Sequence, residues 1–184
     1  MAKIAPLTLI LVLSATLSAS APFSDGPAVG TLRLEAFGGE LPTSLSATVR
    51  TTSPGGAGVS WTGVPSLDTL RGDSFVPWLV ESARDRTNLG LVNLSGPTTS
   101  FRIEIHDGET GRLVATHLTK VLGRDEFLQL SSVLRDLAPS VRRGWARVVP
   151  AIPSSYFLAY GVVMDGAEPG LGTDDGTFVL GHPE

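Results

Sequence analysis

The sequence predicts an all-β protein: an antiparallel β-sandwich, Ig-like or jelly-roll-like, with one short helix. Three observations predict it. Short β-branched and aromatic runs recur along the chain, 21 Gly and 13 Pro punctuate them, and only one segment competes for helix. With 184 residues, 42% of them hydrophobic and 17% charged, the chain has material for one ordinary core.

Taken in order, the chain opens with Lys3 as the only charge before Asp25, an apolar run over residues 7–17, and the small-residue stretch Ser18-Ala19-Ser20-Ala21. That pattern reads as a secretory signal peptide over residues 1–21, with Ala19 and Ala21 fitting the A-x-A rule and Pro22 as an unfavourable first residue after the cut. The apolar run falls well short of the roughly 20 residues a spanning helix needs, so no permanent membrane anchor is expected. Residues 22–184 then form a single sandwich domain. Strands are expected over 31–37, 45–52, 58–62, 74–81 and 87–94, and in the second half over 101–106, 112–118, 126–130, 144–149, 156–165 and 177–180. The Gly/Pro/Ser-rich stretch 53–74 is expected to be partly mobile. The helix falls over 131–137, with Ser131 or Ser132 as N-cap, Val133, Leu134 and Leu137 on one face, and a stop before Pro139.

The best-defined unit is the hairpin FRIEIHDGETGRLVATHL. Phe101, Ile103 and Ile105 alternate with Arg102, Glu104 and His106, and the loop from Asp107 to Gly111 supplies the turn. The register of the return strand stays open, because a one-residue slip exchanges its faces. A pairing centred on Glu109 would set His117 opposite Phe101.

Composition excludes several functions. The formal net charge of −4 has the wrong sign for a general nucleic-acid binder. With Cys 0 there is no disulfide framework, thiolate metal site or cysteine nucleophile, and three His make transition-metal sites hard to assemble. Export without cysteine points to a bacterial envelope or extracellular protein. None of G-x-S-x-G, H-E-x-x-H, S-x-x-K or the P-loop pattern occurs.

The runs RTNLGLVNLSG, Asp-Gly-x-x-Gly, FLQLSSVL, GWARVV, YFLAYGVVMDG and TFVLG, in that order, resemble a secreted bacterial Ig-like β-sandwich module of unassigned function. The resemblance spans about residues 45–181 and implies a cell-surface or extracellular domain. The closing loop here, GAEPGLGTDDG, is longer than the short turn of that pattern.

Four carboxylates, Asp165, Glu168, Asp174 and Asp175, lie within a Gly-rich loop able to curl around a calcium ion, although the order is not that of an EF-hand. The plainer reading is a solvated connection between strands. Asp107 and Glu109 read as turn residues. Trp61 and Trp78, in the Gly/Pro-rich first half, are the candidates for an exposed, ligand-contacting aromatic, with packing the plainer reading at each, while Trp145, Tyr156 and Tyr160 fall on alternating strands and read mainly as core. Arg71-Gly72-Asp73 matches the integrin tripeptide and Asn93-Leu94-Ser95 the glycosylation sequon, both short enough to arise from turn and strand chemistry. The functional expectation is a non-catalytic secreted or cell-envelope module binding a surface protein or glycan. The alternatives are a self-assembling surface subunit and, less favoured, a hydrolase without a signature. No cofactor is expected beyond calcium.

Overall fold

The computed structural model describes residues 8–14, 29–35, 48–52, 58–65, 68–166, 172 and 175–184. Fifteen strands and one helix appear among them. The first half contributes β1 (Thr8–Ser14), β2 (Val29–Glu35), β3 (Thr48–Thr52), β4 (Gly58–Thr62) and β5 (Val64–Pro65). The second contributes β6 (Leu70–Arg71), β7 (Ser74–Val80), β8 (Asp85–Asn93), β9 (Phe101–Asp107), β10 (Leu113–Leu118), β11 (Phe127–Leu130), α1 (Val133–Leu137), β12 (Arg143–Pro150), β13 (Tyr156–Asp165), β14 (Gly176–Leu180) and β15 (His182–Pro183).

Two five-stranded antiparallel sheets make the sandwich. One has the order β10-β9-β12-β7-β15; the other has β11-β8-β13-β14, with β6 pairing with the start of β13. Both draw only on residues from Leu70 onward. The segment read as a leader supplies β1, which pairs antiparallel with β2 along its length and with β5, in a separate three-stranded sheet. Residues 53–57, 66 and 67 of the stretch expected to be mobile lie outside the described residues, while 58–62, 64–65 and 70–71 are strands.

Alternation along the strands builds the core. Val76, Ile103, Ile105, Ala146 and Val148 from the first sheet meet Leu89, Leu91, Phe157 and Ala159 from the second, and the Phe101 and Phe157 rings pack at 5.0 Å. Each large side chain so buried is worth about 1.5–3 kcal/mol. The opposite face of the second sheet is apolar too. Leu158, Tyr160 and Val162 of β13 and Val92 of β8 form a second cluster with Trp61 and Val64, so a chain segment from the first half covers that face.

The RTNLGLVN run is scaffold at nearly every position. Arg86 donates to the Gly166 carbonyl. Thr87 Oγ1 accepts from the Val80 N–H at 2.8 Å and donates to the Val80 carbonyl at 2.9 Å. Asn88 Oδ1 accepts from the Ser132 N–H. Gly90 lies beneath the Tyr160 ring, which fills the place of a β-carbon there. Asn93 donates through Nδ2 to the carbonyls of Pro97 and Leu122 and accepts from the Ser95 N–H. With that amide buried and committed, the sequon has no accessible acceptor in the folded chain.

Two local expectations are corrected. His117 stands opposite Ile103, not Phe101, because a bulge between Leu113 and Ala115 and a turn centre beyond Glu109 together shift the pairing by two residues. Ala115 and His117 therefore point to the inner side, and Leu113 and Leu118 to the outer. Helix α1 starts at the expected place, but Ser132 sits in the left-handed region at φ 47° and its hydroxyl makes no cap, accepting instead from Arg135 Nη2. The cap comes from Glu81, just after β7, whose carboxylate accepts the Arg135 backbone N–H.

Candidate functional site

Strand β7 carries the most unusual backbone of the described sandwich. Leu79 pairs with Gly144 and Val76 with Ala146, so Pro77 and Trp78 together oppose the single residue Trp145. Pro77 has no N–H to give to the ladder, which favours a bulge here. Beyond Phe75 the β15 side of β7 pairs with none of the described residues, so among them only one ladder is interrupted. Trp78 takes up the extra length by adopting φ 64°, a left-handed conformation that costs a bulky residue about 1–3 kcal/mol. The residue is 73% exposed. Little packing is there to offset the strain.

Around that indole lies a cleft of about 720 Å³, formed where β7, β8, β12, β13 and the β9–β10 turn converge. Trp78, Pro77 and Val80 line it from β7, Trp145 and Arg143 from β12, Val163 from β13 and Asp85 from β8, with Glu109 from the turn. Each wall is fixed by local chemistry. The turn is held by Asp107, whose Oδ1 accepts from the backbone N–H of Thr110 at 2.7 Å, its hydroxyl at 2.8 Å and the N–H of Glu109 at 3.1 Å, and these bonds hold the Asp107 carboxyl below its ordinary range. Gly108 then donates to the Arg143 carbonyl at 2.9 Å, docking the turn on β12 and bringing Glu109 to the cleft. On the far wall the Ser82 hydroxyl donates to Asp85 Oδ2 at 2.8 Å and accepts from the N–H groups of Arg84 and Asp85. Gly144 lets β12 approach β9: a β-carbon there would lie 2.5 Å from the His106 carbonyl oxygen.

Trp145 is the fixed counterpart of Trp78. Its indole stacks on the His106 imidazole at 3.9 Å with planes 8° apart, and Phe75 meets it edge-on at 5.3 Å. His106 Nδ1 also lies 3.1 Å from the Gly111 carbonyl oxygen. Next to this row, Arg147 is ion-paired with Asp73, with Glu104 at 3.2 Å and with Glu184 at 3.2 Å, and these carboxylates raise its already high pKa.

The structure separates the two tryptophans the sequence brought forward. Trp78 is the open one. Trp61 is 8% exposed and stacks at 5.8 Å on Phe178, which in turn packs at 4.8 Å on Tyr160, so the candidacy of 61 as an exposed, ligand-contacting aromatic is corrected: this tryptophan seals the second cluster. Asp165 and Asp175 flank the closing loop and are tied by a backbone bond from the Asp165 N–H to the Asp175 carbonyl at 2.8 Å. Glu168 and Asp174 lie outside the described residues. The integrin-like tripeptide is engaged internally, since Arg71 lies over the Tyr156 ring at 3.9 Å and Asp73 pairs with Arg147. Sequence reasoning passed over Arg143, Asp85 and Glu109 as a group. Only the Pro-Trp pair inside a strand-like run signalled the bulge that gathers them.

No protein-family model and no curated protein sequence matches the chain. A crystal structure from Thermotoga maritima is similar at 14% sequence identity and a TM-score of 0.47, over 62% of this chain and 95% of that one.

Proposed function

We propose that the chain is a non-catalytic secreted or cell-envelope β-sandwich whose work is binding, with the cleft at Trp78 as its recognition surface. One observation carries this reading: a large aromatic side chain is held largely in solvent by a strained backbone, where folding alone gains little from it. Strain of this kind concentrates at functional positions, and exposed rigid aromatics dominate binding energy in recognition sites. The leader pattern supplies the export route.

The test compares the exported protein with its Trp78→Ala variant, both fluorescently labelled, for retention on bacterial cells and envelope fractions. Saturable retention that the variant loses supports the reading; equal retention of the two contradicts it. N-terminal sequencing of the exported form checks the leader, with a start near Pro22 expected.

A second reading, self-assembly, is favoured by β10. It is an edge strand without a charged side chain and exposes Leu113, Val114 and Leu118. Light scattering on concentrated protein decides it: a strict monomer removes this reading.

A further inference from the structure

Resting on the reading of Trp78 as a recognition residue, we propose that the cleft takes a saccharide, with one sugar ring against the Trp78 indole and its hydroxyls toward Glu109, Asp85 and Arg143. A pyranose ring has an apolar C–H face and a rim of hydroxyls that both donate and accept. Its complement is a flat, rigid aromatic surface beside fixed acceptors and a fixed donor. The cleft supplies those parts. Trp78 offers the flat surface, Glu109 and Asp85 offer carboxylate oxygens, and the Arg143 guanidinium offers a fork of N–H donors. Neither Glu109 nor Arg143 has a side-chain ion pair among the described residues, so both are available for a ligand, and the Ser82 bond holds Asp85 in place.

Other occupants fit less well. An extended peptide adding to the β7 edge needs a run of backbone donors and acceptors, but Pro77 has no N–H and both polar backbone groups of Val80 are taken by Thr87 Oγ1. An anionic ligand meets two carboxylates against one guanidinium. The same balance favours a neutral or amino sugar over an acidic one.

The experiment is an array of neutral, amino and acidic oligosaccharides probed with the labelled exported protein and with its Trp78→Ala and Glu109→Gln variants. Melting curves confirm that each is folded. Retention on neutral or amino saccharides, falling at least about tenfold in Trp78→Ala and by a smaller factor in Glu109→Gln, is the expected result. If no saccharide is retained above the Trp78→Ala background, the inference is overturned; Trp78-dependent retention on envelope fractions would then leave the binding reading standing with a protein partner. Equal retention of wild type and Trp78→Ala on saccharides and on envelopes overturns both.

Discussion

The Tyr160 ring rests on the backbone of Gly90, occupying the space that any side chain at position 90 would need. The two are also register partners on β13 and β8. That contact joins the two most recognisable runs of the sequence and lets Tyr160 lie flat enough to stack on Phe178 beneath Trp61. Gly90→Ala should therefore overpack the second cluster and destabilise the protein by about 2 kcal/mol, read from urea unfolding, with Tyr160→Leu in the same background recovering part of the loss.

The contrast between that pair and Trp78 shows what the sequence made legible. Alternating apolar positions located the strands of the sandwich and its core, because a two-residue period follows directly from strand geometry. The same local rules left the return-strand register open, since it depends on a bulge at the edge of a sheet. They misjudged Trp61, because what buries it is Phe178, more than a hundred residues away. The cleft was half visible: Trp78 was named, but Asp85, Glu109 and Arg143 come together only through three-dimensional convergence of three separate turns and strand ends.

Glu81 is 6% exposed, its Oε2 has no partner among the described residues, and burial raises its pKa above the ordinary carboxyl range against the opposing pull of Arg135 and Arg142. A carboxyl with a raised folded value contributes stability that is complete below its unfolded pKa and is lost as pH rises through the folded one. Glu81→Gln keeps an acceptor for the Arg135 N–H without the charge. Its melting temperature should exceed that of wild type at about pH 7, and the gap should close as pH falls below the unfolded carboxyl range. A gap that widens on acidification would contradict the assignment.

Arg147 gathers Asp73, Glu104 and Glu184, tying β12 to β9, to the chain entering β7 and to the residue that follows β15. Arg147→Gln leaves three carboxylates without their common partner. A loss of about 1 kcal/mol is expected at low salt, shrinking as ionic strength rises, because the cluster is partly exposed to solvent.

At the closing loop the buried Arg86 guanidinium already donates to the Gly166 carbonyl, one of the backbone oxygens a curled loop would turn toward a cation. A second positive charge beside it is disfavoured. The melting temperature should accordingly be the same in excess calcium and in excess chelator, whereas Arg86→Met should lower it in both. A calcium-dependent rise abolished by Asp174→Ala and Asp175→Ala would instead make the loop a metal site.

The most direct test of the central claim is a paired measurement on Trp78→Gly, melting temperature and retention on envelope fractions, beside the neighbouring core change Leu79→Ala. Glycine accepts the left-handed backbone without strain, and the exposed indole contributes little packing. Trp78→Gly is expected to keep or raise the melting temperature while retention is lost, and Leu79→Ala, which empties a fully buried position, to lower stability by about 2–5 kcal/mol. A Trp78→Gly protein that melts as early as Leu79→Ala yet binds as wild type does would contradict it, and would make the bulged tryptophan a structural residue.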